Sequence, residues 1–239
     1  MSAEPPLGPA RGQDKGRPGK FITLEGGEGA GKSTQMRRLQ ERLAQRGVEA
    51  IATREPGGSP RAEVLREALL GGKAASFGPL GEAILFSAAR IDHLDRLIKP
   101  ALARGAWVIC DRFADSTRAY QGARGGVDPR LIALLERVAL MGSVPDLTVI
   151  LDLPPEIGLE RAHRRRAPDV AADRFEREGL EFHRGLRQAY LDIAASEPGR
   201  CCVVDALAPE QEVAEAIWHV VEARFFRPEI VVPLKSVVA

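Results

Sequence analysis

The stretch Phe21–Thr34, FITLEGGEGAGKST, decides the fold of this 239-residue chain. Its first four residues predict a short buried strand, and the residues from Lys32 onward have the period of an amphipathic helix. Between the two, Gly26–Ser33 matches the pattern G-x-x-x-x-G-K-[ST]. Glycines let such a loop curl so that its backbone N–H groups point at a phosphate, and the start of the helix adds partial positive charge. The stretch therefore predicts a P-loop that binds a nucleoside triphosphate.

The loop supplies one set of candidate nucleotide contacts. Lys32 would neutralise the β- and γ-phosphates, and the Ser33 hydroxyl would coordinate Mg²⁺. The full set of predicted contacts comprises Gly26, Gly27, Glu28, Gly29, Ala30, Gly31, Lys32, Ser33 and Thr34.

Strand-like and helix-like segments alternate along the rest of the chain. Strands are predicted at 21–24, 48–53, 107–110, 147–153 and 201–204, and helices at 32–46, 60–70, 80–104, 115–121, 129–141 and 209–226. This alternation indicates an α/β fold with a five-stranded parallel sheet covered on both faces, the three-layer α/β/α architecture of P-loop NTPases. The strand at 107–110 should neighbour the strand at 21–24.

One domain is expected over residues 20–226. Residues 1–19 are rich in Pro, Gly and charge and predict a disordered leader, and 227–239 predict a tail. The net charge of +1 gives no global basic field, so no nucleic-acid partner is expected. No apolar run is long enough for a membrane span, and the three cysteines lack metal-ligand spacing. These features favour a cytoplasmic protein with reduced thiols.

The residues that follow the third strand distinguish a kinase from other P-loop proteins. The chain contains no Asn, so it lacks the Asn-Lys-x-Asp signature by which a switch GTPase reads guanine. Asp111 ends the third predicted strand, as the acid of an ATPase motor does, but Arg112 follows it directly. An Arg that grips phosphate beside an Asp that organises Mg²⁺ suits a second anionic substrate, although an exposed ion pair would give the same dipeptide.

With these residues the chain resembles the thymidylate kinase family over roughly residues 20–226. The motifs that carry the resemblance are LEGGEGAGKST at 24–34, REPGG at 54–58, FSAAR at 86–90, DRFADS at 111–116 and AYQG at 119–122. The resemblance implies transfer of a phosphoryl group from ATP to thymidine monophosphate (dTMP), which yields dTDP, with Mg²⁺ as cofactor.

It also implies roles for individual residues. Arg54 and Arg112 would hold the acceptor phosphate, Phe86 would stack on thymine, and Arg90 would bond its O4 edge. Tyr120 would stand near the sugar C2′, and Glu25 and Asp111 would organise Mg²⁺ and its waters. Further substrate contacts are expected from Ser116, Thr117 and Gln121.

Three of these residues have simpler alternative roles. Phe86 could be a core aromatic, Tyr120 a helix cap, and Arg90 half of a surface ion pair. The family usually has an Asp directly before Arg90, where this chain has Ala89, so the orientation of Arg90 is in question.

The P-loop interior supplies no Arg, so the resemblance implies a catalytic Arg from a mobile lid at about 161–174. Arg164 and Arg166 are the candidates, with Arg161 and Arg165 left open, and the alternative is a solvated basic run between two helices. Lys32, Asp111 and Arg112 complete the predicted catalytic set. The resemblance further favours a homodimer through the apolar helices near 80–104 and 130–141.

Two rival functions stay open at this stage. A related kinase could act on dUMP or on a free deoxynucleoside, because one methyl group gives only about 1–3 kcal/mol of discrimination. A non-catalytic nucleotide-binding module would bind ATP without transferring its phosphate to any acceptor.

Overall fold

The computed structural model describes residues 18–166 and 173–227, so most of the predicted leader and tail and the middle of the predicted lid lie outside the described residues. The five strands are β1 (Phe21–Gly26), β2 (Ala50–Arg54), β3 (Trp107–Asp111), β4 (Leu147–Asp152) and β5 (Cys201–Asp205). The helices are α1 (Lys32–Gln45), α2 (Pro60–Leu70), α3 (Gly78–His93), α4 (Lys99–Ala103), α5 (Ala114–Thr117), α6 (Pro129–Leu140), α7 (Pro155–Arg165), α8 (Leu180–Ser196) and α9 (Glu210–Phe225).

The strands form one parallel sheet in the order β2-β3-β1-β4-β5, which confirms the predicted fold class. β3 pairs directly with β1, with Leu24 opposite Asp111, as the sequence predicted. β2 pairs with the other edge of β3 and places Arg54 opposite Asp111. The carboxyl ends of these three strands therefore meet at one edge of the sheet, where ligands of open α/β sheets bind.

Helices cover both faces of the sheet. On one face α1 and α9 pack against the strands through residues such as Leu43 and Trp218. On the other face, Leu94 and Ile98 cover β3, and α8 covers β4 and β5. All six residues of β1 are buried, as expected for the central strand of a sheet covered on both faces.

Two predicted boundaries were wrong for identifiable reasons. β2 begins at Ala50 and not at residue 48, because the Val48 N–H bonds the Leu43 carbonyl and closes the end of α1 around Gly47, whose φ is 73°. The helix predicted at 80–104 is continuous from 78 to 103 but widens to a π-helix over Leu94–Ile98. Pro100 follows that segment, and a proline ring collides with the carbonyl four residues earlier in a regular helix.

A second π-helical segment, Arg118–Arg124, extends α5, so the helical run from 114 to 124 is longer than the predicted 115–121. Among the described residues, we found no helix whose length and hydrophobicity would let it cross a membrane.

Candidate active site

One pocket lies at the carboxyl ends of β1, β2 and β3 and joins the P-loop to the predicted acceptor residues. Its P-loop side is formed by residues 28–33. The rest of the lining is mostly polar, cationic and aromatic and comprises Arg54, Glu55, Pro56, Arg66, Leu70, Phe86, Arg90, Asp111, Arg112, Phe113, Ser116, Thr117, Tyr120, Gln121, Arg165, Asp173, Phe175 and Glu176. The pocket thus brings together residues that the sequence analysis assigned to the donor and to the acceptor.

The P-loop has the geometry of an anion site. α1 begins at Lys32, so the N–H groups of Lys32, Ser33 and Thr34 have no acceptor within the helix. Lys32 Nζ donates to the carbonyl oxygens of Gly26 at 3.1 Å and Gly27 at 2.7 Å. Gly26 and Gly27 therefore hold the lysine through their carbonyl groups. Burial and the nearby Arg112 lower the pKa of Lys32, which a bound polyphosphate would offset.

Ser33 and Asp111 form the pair of oxygen donors predicted for Mg²⁺. Ser33 Oγ donates to Asp111 Oδ2 at 2.7 Å, across the boundary between α1 and β3. A hydroxyl and a carboxylate at the edge of a phosphate loop are ligands that Mg²⁺ accepts together with phosphate oxygens. Over residues 18–166 and 173–227 there is no group of three His, Cys, Asp or Glu side chains that would hold a metal without such phosphate ligands.

Arg112 lies between the P-loop and the acceptor side. Its φ of 68° is in the left-handed region, which is costly for a residue with a Cβ and is found mostly where function requires it. Its guanidinium donates to Glu28 Oε1 at 2.5 Å, to the Gly26 carbonyl at 3.1 Å and to Tyr190 Oη at 3.2 Å. It also lies over the ring of Tyr120, 5.2 Å from the centroid.

Glu28 is the acid that offsets the positive charges of Arg112 and Lys32. Burial alone would raise the pKa of its carboxyl, but the positive charges of Arg112 and Lys32 and a hydrogen bond from Tyr120 lower it to about 2. Glu28 is therefore ionised at neutral pH, where it pairs with Arg112 and offsets part of the charge of Lys32. The sequence predicted Glu28 only as an ATP contact, so its link to Arg112 is new.

The predicted role of Glu25 needs correction. Glu25 is fully buried and does not line the pocket, so its carboxylate is not available to organise water on Mg²⁺. It accepts hydrogen bonds from the Phe113 N–H at 2.7 Å, Ser116 Oγ at 2.7 Å and Tyr190 Oη at 3.2 Å. Burial, reinforced by Asp115, raises its pKa to about 7. From the interior of the protein, Glu25 therefore anchors the turn after β3 through these hydrogen bonds.

The predicted base-binding residues form the far wall of the pocket. Phe86 is half-buried and faces the pocket with Phe175, at a centroid separation of 6.3 Å. Tyr120 packs edge-on against Phe175 and donates its hydroxyl to Glu28 at 3.0 Å, so it does not act as a helix cap. Thr117 and Gln121 are buried on the same helical run and line the pocket.

Arg90 is not part of a surface ion pair. It is 2% exposed, and its Nε donates to Glu55 Oε2 at 2.8 Å. Ala89 is buried beside it, and Glu55 supplies the carboxylate that the sequence lacks at position 89. Arg90 therefore keeps a fixed orientation in this chain without an acid at that position.

A second arginine joins Arg54 at the end of β2. Arg54 is half exposed and is held by Glu63, which also accepts the Gly58 N–H at 2.9 Å. Arg66 on α2 donates to the Pro56 carbonyl at 2.6 Å and lines the same pocket. No sequence motif marks Arg66, because it lies on a helix outside every recognisable motif.

The lid arginines lie differently from the prediction. Arg161–Arg165 belong to the last turns of α7, whose start touches the P-loop so closely that a Cβ at Gly158 would lie 2.2 Å from the Glu28 carbonyl oxygen. Arg161 donates to the Ala206 carbonyl at 3.1 Å, and Arg164 is exposed and pairs with Glu160. Arg165 lines the pocket, whereas Arg166 pairs with Glu176 at its rim. Of the predicted pair, neither Arg164 nor Arg166 lines the pocket, whereas Arg165, which the sequence left open, does.

The comparisons with known proteins agree with one another. The family model described as thymidylate kinase matches residues 24–217. A thymidylate kinase from Rhodopseudomonas palustris (strain TIE-1) is 56% identical over 211 residues, which cover 88% of this chain and 91% of that protein. A thymidylate kinase from Bradyrhizobium diazoefficiens is 53% identical over 206 residues, or 86% and 90% of the two chains. The crystal structure of thymidylate kinase from Ehrlichia chaffeensis superposes with a TM-score of 0.68 at 33% identity, covering 85% of this chain and all of that one.

Proposed function

This chain belongs to the thymidylate kinase family, and on that premise we propose how its residues carry out the phosphorylation of dTMP by ATP. The chain is a dTMP kinase, and its products are dTDP and ADP. One observation carries the assignment of residues: Glu28 of the P-loop contacts Arg112 of the DRF turn, so donor and acceptor groups meet in a single pocket.

The donor half comprises the P-loop and the start of α1. The free N–H groups of α1 and the Lys32 ammonium would surround the β- and γ-phosphates of ATP. Ser33 and Asp111, together with phosphate oxygens, would hold Mg²⁺, which would supply charge neutralisation when bound. The 2.7 Å contact between Ser33 and Asp111 supports this pairing.

The acceptor half combines cationic and aromatic side chains. Arg112 would grip the dTMP phosphate, with Arg54 and Arg66 lining the same pocket. Phe86 would stack on the thymine ring, and Arg90 would donate to O4. This mixed lining supports a nucleotide as the acceptor, because a nucleotide has an anionic end and an aromatic end.

The reaction needs no strong base. The dTMP phosphate is already an anion near neutral pH, so the chain has to align two polyanions, exclude water and neutralise the developing charge. Arg165, which lines the pocket from α7, is the residue that would neutralise the transferred group.

We further propose that the chain forms a homodimer and works in the cytoplasm. Exposed apolar side chains follow the outer faces of the two packed helices α3 and α6, namely Leu80, Ile84, Ile91, Leu131, Leu134 and Val138. Contiguous apolar surface on adjacent helices is typical of subunit interfaces. The three free, buried cysteines suit a reducing compartment.

The experiment is an acceptor panel with coupled detection of ADP. Wild-type protein, ATP and Mg²⁺ are combined in turn with dTMP, dUMP, AMP, GMP, CMP and thymidine. We expect the highest kcat/KM with dTMP, a lower value with dUMP and no turnover of thymidine, which brings no phosphate to Arg112. If no acceptor leads to ADP formation, the kinase mechanism is contradicted and the non-catalytic binding-module alternative is favoured.

A further inference from the structure

A buried chain of hydrogen bonds lies behind Arg90 and connects it to β2. Arg90 Nε donates to Glu55 Oε2 at 2.8 Å, and His93 Nδ1 lies 3.0 Å from Glu55 Oε1. His93 Nε2 lies 2.8 Å from Thr53 Oγ1. The side chains of Arg90, Glu55 and His93 are 3%, 4% and 0% exposed, so no solvent competes for these bonds.

The bonding pattern assigns the histidine protons. A carboxylate only accepts, so Nδ1 of His93 must carry the proton that it donates to Glu55. In the neutral ring Nε2 is then an acceptor, and the Thr53 hydroxyl donates to it. Each Glu55 oxygen thus receives one bond, one from the histidine and one from the arginine.

The backbone leaves space for this arrangement. Gly58 has a φ of 82°, and a Cβ at that position would lie 2.3 Å from His93 Nε2 and 2.6 Å from Thr53 Oγ1. The second glycine of the REPGG turn is therefore required by the contact between Thr53 and His93. This turn, which ends β2, and helix α3 are joined by the chain of bonds.

The same bonds decide which donors of Arg90 remain for a ligand. Nη2 donates to the Phe113 carbonyl and to Thr117 Oγ1, each at 3.1 Å. Within residues 18–166 and 173–227, Nη1 has no hydrogen-bond acceptor, and Arg90 lines the pocket. With Nε and Nη2 held, the guanidinium plane cannot rotate, and Nη1 is the group left to meet the acceptor base.

We propose that Glu55 and His93 are positioning residues for recognition of the acceptor base, because they fix the guanidinium of Arg90 for a bond to an exocyclic base oxygen. The inference rests on the proposed function, in which Arg90 donates to O4 of dTMP. A loosened arginine would still be present and charged, but it would lose the alignment that makes its hydrogen bond selective. The effect is therefore confined to acceptors that carry the oxygen.

The test compares dTMP with its analogue in which hydrogen replaces O4 (the 5-methyl-2-pyrimidinone deoxynucleotide, which also lacks the N3 proton), and the preference for dTMP is compared between wild type and each variant. Wild-type enzyme is expected to prefer dTMP in kcat/KM by about tenfold to hundredfold, the range for a hydrogen bond to a charged group. In Glu55→Gln the new amide N–H group faces either Arg90 Nε or His93 Nδ1. Both of these atoms are donors, so one of the two hydrogen bonds to residue 55 is lost. We expect it to raise KM for dTMP about tenfold or more, with a smaller change in kcat, and to change kcat/KM for the analogue less than threefold.

Two substitutions of His93 provide an independent readout if Glu55→Gln is unstable. His93→Asn retains an N–H donor near the position of Nδ1, whereas His93→Leu has none. We expect the asparagine variant to keep most of the preference for dTMP and the leucine variant to lose it. Asp92→Asn, one residue away on α3 and outside the pocket, is the matched control and should behave as wild type.

The outcomes separate this inference from the proposed function. If wild-type enzyme turns over dTMP and the analogue equally, or if Glu55→Gln lowers kcat/KM for both by the same factor, the positioning role is overturned while dTMP kinase activity stands. Equal preference in the two histidine variants would overturn it as well. Failure of the wild-type enzyme to phosphorylate dTMP at all would refute both.

Discussion

Replacing Glu28 with Gln should destabilise the empty enzyme strongly at neutral pH and progressively less as the pH falls below about 4.5. Glu28 pairs with Arg112 and also interacts electrostatically with Lys32, so removing its charge leaves two buried cations that repel each other. Glutamine is nearly isosteric with the protonated acid, so the variant imitates Glu28 below its pKa.

The structure gives the size and the pH window of this effect. The pKa of Glu28 falls from 4.5 to about 2, and each pKa unit corresponds to about 1.4 kcal/mol, so the ionised carboxylate stabilises the fold by about 3 kcal/mol at pH 7. Because the folded pKa is the lower one, this stabilisation is present above about pH 4.5 and disappears as the pH falls toward 2. At pH 3.5 we expect about 2 kcal/mol to remain.

The assay is urea denaturation of wild type and Glu28→Gln at pH 7, 5 and 3.5. Glu160→Gln is the control, because Glu160 also pairs with an arginine but lies on the surface of α7, where such pairs contribute about 0–1 kcal/mol. A loss below 0.5 kcal/mol at pH 7, or the same loss at every pH, would refute the charge-bridge account of Glu28.

Three further substitutions test other parts of the pocket. Lys32→Ala should lower kcat at least about a thousandfold, and the variant should still melt cooperatively. Substantial residual turnover would show that Lys32 does not contribute to catalysis. Arg165→Ala should lower kcat by about 10³ or more, whereas Arg164→Ala should stay within about threefold of wild type in the same assay, and the reverse order would restore the sequence prediction. Phe86→Ala should raise KM for dTMP about tenfold, because stacking contributes roughly 1–3 kcal/mol per base. An unchanged KM would indicate that Phe86 serves as a core aromatic and not as a base contact.

The parts of the site that are predictable from sequence are those in which one motif carries both a backbone geometry and a chemical group. The P-loop fixes a strand, a turn and a helix start together, so Lys32 and Ser33 could be placed without a structure. The DRF and REPGG motifs follow strands, and the carboxyl ends of neighbouring parallel strands must meet, which brought Arg112 and Arg54 to the same edge.

Other contacts depend on packing between distant segments and leave no local pattern. Tyr190 on α8 bonds Glu25, which lies 165 residues away, and nothing in the sequence around Tyr190 distinguishes it from a core residue. The resemblance implies a Mg²⁺ role for Glu25, whereas the structure buries its side chain against the turn after β3, a contact that no local pattern reveals. The sequence also leaves the lid arginine open, because in a run of consecutive arginines the rotation of about 100° per residue in α7 decides which one faces the pocket.

Transfer of an isotope label distinguishes phosphoryl transfer between two nucleotides in one pocket from hydrolysis of ATP. The enzyme is incubated with Mg²⁺, dTMP and ATP labelled with ³²P at the γ-position, and the products are separated. We expect the label to appear in dTDP in step with ADP formation, and Arg112→Ala to suppress both. Label recovered as inorganic phosphate, or ADP formation that does not depend on dTMP, would refute transfer between the two nucleotides.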